Sequence, residues 1–286
     1  MINKYNILRF WGHREMIPFG IRDRLLRRLH PVGTPFEFEV PFYSKRYHGN
    51  TKSYLDWCVF FYGAYEKYLL NLLEQILTRI EHPVVFDIGA NVGHHSLFIS
   101  SYADMIHAFE PHPEFCQSIE AKIKLNKLTN LMIHNVGLGA EDASIPYFAP
   151  TEDQPNKGTG SFIEGYNSGL RPYNHLRVVN GDNYIDQINP AKIDLVKIDV
   201  EGFEFEVLTG LKASLSKFRP ILIIEFSEQT AQKFESLKKL KEHLPVDYQI
   251  FEVVGGGIKK LKPFNYETSR GDIICFDPNA ILISDL

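Results

Sequence analysis

Between residues 84 and 226 the chain repeats one pattern: a short apolar run, a tight connection, then a stretch with helical spacing. The runs are 84–88 (VVFDI), 105–109 (MIHAF), 131–136, 193–200 (IDLVKIDV) and 220–226 (PILIIEF), with helical stretches at 94–102, 113–126 and 203–217. A strand that passes through a helix before the next strand returns by a crossover, so strands joined this way run parallel. Their apolar residues are consecutive rather than alternating, as strands covered on both faces require. The pattern predicts an α/β fold with a Rossmann-like, mostly parallel sheet. An amphipathic helix ending near Leu244 follows, and then two runs, YQIFEVV and DIICFD, with no helix between them. These read as an antiparallel pair at the end of the sheet.

Upstream, apolar residues from Tyr54 to Ile80 recur at three- and four-residue steps, with a break expected at Gly63. Residues 1–53 read as an N-terminal cap holding a basic helix at 22–30 (RDRLLRRLH) and a hairpin strand from Phe36 to Phe42, and residues 54–286 read as the main domain. Residues 150–177 hold four glycines and three prolines in 28 positions and read as a long loop, mobile until it closes over a ligand.

At 286 residues and 44 % hydrophobic content the chain can bury a full core. A net charge of −4 leaves no general basic excess for a nucleic-acid backbone, so nucleic acid is not the expected partner. Cys58, Cys116 and Cys275 are widely spaced and read as reduced, buried thiols. No apolar run approaches the roughly 20 residues of a membrane span. A soluble, cytoplasmic chain is the expectation; the oligomeric state stays open.

The stretch VVFDIGANVG (84–93) ends a buried strand on Asp87 and then thins its side chains between Gly89 and Gly93. A glycine-rich turn that leads into a helix lets a ligand approach backbone N–H groups. The dinucleotide spacing GxGxxG is absent, and so is the Lys-Ser/Thr pair of a phosphate loop. A zwitterion fits better: Asp87 would pair with an ammonium, and the turn's amides with a carboxylate. The second strand ends on Glu110, 23 residues after Asp87, where a carboxylate can accept from both ribose hydroxyls. An amino acid joined to a ribose describes S-adenosylmethionine.

Methyl transfer from a sulfonium requires an aligned acceptor oxygen and a group to take its proton. The segment KIDVEG places Lys197, Asp199 and Glu201 at alternate positions, and the next strand ends with Glu225 beside Phe226. Asp199 or Glu201 would serve as base, or Asp199 and Glu225 would hold one Mg²⁺. The plainer reading is an ion pair between Lys197 and a carboxylate that only organises the sheet edge. His94 and His95 at the helix start read more readily as packing than as catalysis. Aromatic residues near the long loop, among them Tyr147, Phe162, Tyr166 and Tyr173, suit a sugar face, so a small-molecule or glycan acceptor is expected.

VFDIGANVGHHSLFIS, AFEPHPEFCQSIEAKIKLN, NVGLG, GTGSF and LVKIDVEGFEFEVLTGL together resemble the FkbM family of S-adenosylmethionine-dependent methyltransferases, over residues 60–226 and more loosely to Pro278. The resemblance implies the seven-stranded methyltransferase sheet and O-methylation of a sugar or natural product. It also implies Asp87, Gly89, Ala90, Asn91 and Gly93 around the methionine part and Glu110 on the ribose. Pro111 and His112 would border the adenine plane, and Asn135 and Val136 its edge. The rival readings are a non-catalytic nucleotide-binding module and a nicotinamide-dependent oxidoreductase.

Overall fold

The computed structural model describes residues 4–14, 16–151, 160–167, 169–255 and 261–279. Its centre is an eight-stranded sheet that begins at one edge with Leu261–Pro263, Gln249–Val253 and Gly271–Phe276. Ile221–Phe226, Leu195–Ile198, Val84–Ile88, Met105–Phe109 and Leu131–His134 follow in that order. The five strands from Ile221–Phe226 to Leu131–His134 pair in parallel; the other three pair antiparallel. The sequence pattern predicts seven of these. The eighth, Leu261–Pro263, is a three-residue edge strand too short to carry a periodic signal.

Helices cover both faces of the sheet, and two apolar clusters result. One holds Leu69, Leu72, Leu73 and Leu97 with the cap residues Leu8, Leu26, Phe38 and Phe42. The other holds Phe86, Phe109, Val207, Leu208 and Phe234. The cap thus shares a core with the sheet. It contributes helices Lys4–Gly12 and Phe19–Leu29 and the hairpin Glu37–Phe42 with Lys45–Asn50. The stretch 54–80 forms two helices, Tyr54–Tyr62 and Lys67–Leu77, broken where Gly63 adopts φ +89° and caps the first. Gly12 lies so close to the first of these that a Cβ there would overlap the Phe61 carbonyl oxygen.

The main departure from the expected layout lies at 150–177. Leu170–Asn180 is a strand, and it pairs antiparallel with Ala143–Pro150 and parallel with Gly137–Gly139 in a separate three-stranded sheet. Part of the expected loop, residues 152–159 and 168, lies outside the described residues. The helix expected at 203–217 is also divided, into Glu204–Gly210 and Lys212–Phe218.

Candidate active site

At the carboxyl edge of the sheet Asp87 and Lys197 are paired in register on neighbouring strands. Asp87 is fully buried; Ser96 Oγ donates to its Oδ2 at 2.5 Å, while its Oδ1 is buried without a hydrogen-bond partner. Such an orphaned acceptor calls for a donor that the chain itself does not supply. The backbone N–H groups of Gly89 and Ala90 both donate to the Phe109 carbonyl, at 2.9 and 3.1 Å, and that of Asn91 donates to Glu110 Oε2 at 2.8 Å. These three amides therefore bind the neighbouring strand end.

The two glycines of the turn have separate reasons. Gly89 has φ +82°, and a Cβ there would overlap the Asp199 carbonyl oxygen, so the first turn crosses directly over the acidic loop. Gly93 has φ +79°, and a Cβ there would lie 2.8 Å from Ile119 Cγ1 in helix Pro113–Asn126. It serves helix packing and lines neither cleft described below.

Glu110 is buried and accepts the His112 N–H through Oε1 at 2.8 Å as well as the Asn91 N–H. Burial pushes its pKa up to about 7, against the pull of those two N–H groups. It stands in a narrow cleft with Gly89, Asn91, Asp199 and Glu201, walled by Phe109, Pro111, Phe115, Leu138, Phe162 and Phe203. An apolar slot ending in a carboxylate suits a nucleoside, with the base between the rings and the ribose hydroxyls at Glu110. Asn135 is turned away from this slot. Its Nδ2 donates to the carbonyls of Glu110 and Pro111, at 2.9 and 3.1 Å, and Val136 is buried, so Gly137 and Leu138 form the wall expected of that pair. His112 also lies outside the slot, stacked between Phe115 and Tyr173.

A second cleft opens on the other side of the same residues. Gly89, Asn91, Asp199 and Glu201 line both, and Ala90, His94, His95, Tyr65, Glu66 and Glu225 complete the second. Lys197 Nζ, buried, donates to Asp199 Oδ2 at 2.8 Å. Burial disfavours that ammonium, but Asp199 and Asp87 outweigh it and hold the pKa above the usual lysine range. Burial likewise opposes Asp199, and Lys197 outweighs it, so the Asp199 carboxyl sits below the ordinary range and is ionised. Glu225, hydrogen-bonded to Asp199, is pushed up to about 10 by burial and by the Asp199 and Glu201 charges, and carries a proton at neutral pH.

Glu201 is pushed up to about 8, first by burial and then by Asp199, while a hydrogen bond from Tyr166 draws it back. Its backbone is left-handed, φ +52°, and Gly202 follows at φ +94°. The fully buried Glu204 holds this turn: its carboxylate accepts the N–H groups of Val200 and Gly202 at 3.1 Å each and the Thr230 hydroxyl at 2.7 Å. Ser161 Oγ fastens the Glu201 carbonyl from the opposite side at 2.7 Å. Gly158 and Thr159 of the GTGSF stretch lie outside the described residues. Neither Glu204 nor Ser161 is singled out by sequence reasoning; an acidic residue three positions after Glu201 resembles any solvated helix start.

The expected histidines take different places. His94 is buried among Phe42, Tyr47 and Tyr65, with Nε2 3.1 Å from the Tyr65 carbonyl, and burial holds it neutral. His95 Nε2 lies 3.4 Å from Glu66 Oε2. Asp199 and Glu225 are a poor pair for a magnesium ion, because the buried Lys197 ammonium already neutralises Asp199 at 2.8 Å and would repel the cation. Among the described residues no cluster of three or more His, Cys, Asp or Glu side chains could hold a metal. Beyond the second cleft a larger groove continues past Tyr54, Tyr65 and Glu66 toward Tyr62, Tyr68, Phe19 and Arg22.

This strand order, with a carboxylate at the end of each of the first two parallel strands and an apolar slot beside them, defines a Rossmann-like sheet of the kind methyltransferases use. The methyltransferase FkbM domain matches residues 87–250, more than half of the chain, and the chain belongs to that family of S-adenosylmethionine-dependent enzymes. It is 23 % identical over 203 residues to the hexuronic acid methyltransferase AglP of Haloferax volcanii, covering 71 % of this chain and 79 % of that one. It is 26 % identical over 181 residues to the 2-O-methyltransferase NoeI of Sinorhizobium fredii, covering 56 % and 70 %. The crystal structure of methyltransferase FkbM from Methylobacillus flagellatus KT is similar with a TM-score of 0.44 at 16 % identity. That match covers 68 % of this chain and 43 % of that one.

Proposed function

We propose that the chain transfers the methyl group of S-adenosylmethionine to a hydroxyl of a sugar-like acceptor, with Glu201 as general base. The observation that carries this reading is the shared wall. Asp199 and Glu201 face the nucleoside-shaped slot on one side and a separate polar cleft on the other, so a hydroxyl in the second cleft reaches the edge of the first. Bound S-adenosylmethionine supplies an electrophilic methyl group on a sulfonium. Asp87, with its unsatisfied Oδ1, would hold the ammonium of the methionine part, and Glu110 the ribose.

On the acceptor side, Asp199 stays ionised through Lys197 and would accept a hydrogen bond that fixes the hydroxyl. Glu201, with a pKa of about 8, is the stronger base of the two and is better matched to a hydroxyl that becomes acidic only as its bond to carbon forms. The carboxylates in the cleft favour a neutral, hydroxyl-rich part of the acceptor, because a second anion there would meet like charge. The two relatives, a hexuronic acid methyltransferase and a 2-O-methyltransferase by name, support a sugar as acceptor.

The test is transfer of labelled methyl to a panel of neutral and acidic glycan fragments, with Glu201→Gln beside the unaltered enzyme. Turnover should fall by about a hundredfold to ten-thousandfold in the variant while S-adenosylhomocysteine binds within a few-fold of normal. In the unaltered enzyme turnover should rise with pH and level off above about 8, as Glu201 loses its proton. Normal turnover in Glu201→Gln would remove Glu201 as base.

A further inference from the structure

The cap places two short helices on the outside of the molecule with their apolar residues turned outward. Of the thirteen large hydrophobic side chains exposed among the described residues, eight lie between residues 7 and 29. Phe10 and Trp11 stand on helix Lys4–Gly12, Met16 is 94 % exposed in the connection, and Ile21, Leu25 and Leu29 form one stripe along helix Phe19–Leu29. The opposite faces are anchored: Leu8 and Leu26 are buried in the shared core. The outward stripe is therefore not a core face left incomplete.

Charge accompanies it. Residues 1–29 carry seven lysines and arginines against two acidic residues, in a chain whose overall charge is −4. Arg24 and Arg28 are exposed beside the Ile21–Leu25–Leu29 stripe, one helical step away, and form no ion pair among the described residues. The only described carboxylate of that helix, Asp23, is taken by Arg27 at 2.7 Å and the Tyr62 hydroxyl at 3.0 Å. An aliphatic stripe flanked by unpaired arginines on one surface helix, with exposed aromatic side chains on the helix beside it, matches the interface of a negatively charged bilayer. A protein surface would need complementary pockets. A lipid interface asks only for buried apolar area with cations at headgroup height.

We infer that helices Lys4–Gly12 and Phe19–Leu29 form a docking face for an anionic membrane surface. None of the described helices is long and apolar enough to cross a membrane, so the contact is peripheral. Phe19 and Arg22 of this pair also line the groove that continues from the acidic cleft, so the groove mouth opens beside the docked face. The inference does not depend on the methyltransferase reading, because docking is measured without turnover.

The experiment is flotation of the full chain with vesicles of phosphatidylcholine alone or of equimolar phosphatidylcholine and phosphatidylglycerol. The chain should float with the mixed vesicles only and be released as salt rises. Trp11 emission should shift to the blue on binding, since the second tryptophan, Trp57, is fully buried already. Arg24→Gln combined with Arg28→Gln should lower partitioning about thirtyfold, from roughly fivefold for each arginine near the surface. Ile21→Ser with Leu25→Ser should lower it as well. All four positions are exposed or at the helix surface, so melting temperature and S-adenosylhomocysteine binding should stay unchanged and show that the variants are folded. Equal flotation with both vesicle types, or none with either, overturns the inference. A dimer in sedimentation that Leu25→Ser dissociates, with no vesicle binding, would show instead that a second copy covers the face.

Discussion

Replacing Glu110 by glutamine tests the donor slot with one atom changed. In the parent chain one carboxylate oxygen accepts the Asn91 N–H and the other the His112 N–H, both at 2.8 Å. The amide offers a single oxygen, so its NH₂ must face one of those donors. One buried N–H is then left unsatisfied, at about 1–3 kcal/mol of stability, and the melting temperature should fall by a few degrees. Binding suffers separately, since charge-assisted hydrogen bonds to a ribose contribute about 1.5–3 kcal/mol, or about tenfold to a hundredfold in affinity. Isothermal titration with S-adenosylhomocysteine at pH 8 measures the second effect on protein shown by its melt to be folded. A pH series adds a signature that loss of structure alone would not produce. Burial raises Glu110 to about 7, and the ionised form is the one that accepts from hydroxyls. Parent affinity should therefore be full above about pH 7 and weaken below it, as binding has to displace a proton, while the glutamine variant stays flat across that range. Binding by Glu110→Gln within twofold of the parent at pH 8 would refute the assignment.

Three other outcomes follow from the geometry. Tyr166→Phe removes a hydrogen bond that stabilises ionised Glu201, so the rising limb of the pH–rate profile should move to higher pH; an unmoved limb would separate Tyr166 from the base. Gly89→Ala places a methyl group on the Asp199 carbonyl oxygen at a positive φ and should cost about 2–5 kcal/mol in urea unfolding, with parent-like stability contradicting the close crossing. Turnover should be indifferent to EDTA, because Lys197 and a protonated Glu225 occupy the roles a cation would take; collapse with EDTA and rescue by magnesium would reverse that reading.

What the sequence discloses about this fold follows from burial on two faces. Val84–Ile88 and Met105–Phe109 are covered on both sides and read as continuous apolar runs, so their limits are legible to the residue. Leu170–Asn180 gives no such signal. Its middle residues, Arg171 to His175, are exposed, and a strand wet on both faces has no apolar period to detect. Helix Lys4–Gly12 is missed for the related reason that much of its apolar content points outward. The site divides in a similar way. Asp87, Glu110, Asp199 and Glu201 stand out in the sequence because a carboxylate at the end of a buried strand, or just beyond it, is conspicuous. Their protonation does not: the pKa values of Glu201 and Glu225 depend on how strands far apart in sequence bring charges together. Gly89 and Gly93 also fit tightly against the Asp199 carbonyl and Ile119, and spacing alone does not reveal that a glycine admits another part of the chain.

Gly12 shows what such an intimate crossing does mechanically. With no side chain between helix Lys4–Gly12 and the Phe61 carbonyl, the outer helix has no cushion on which to slide. Leu26 and the Arg22 guanidinium, which donates to the Gly12 carbonyl, lock the second outer helix to the same point. Helix Tyr54–Tyr62 carries Tyr54, Cys58 and Tyr62 into the large groove, so the outer pair packs directly on the back of that wall. An acceptor of the proposed kind that used this groove would meet an opening whose height and direction this crossing helps to set. Held against a surface, the same outer pair would reduce the search for that opening from three dimensions to two.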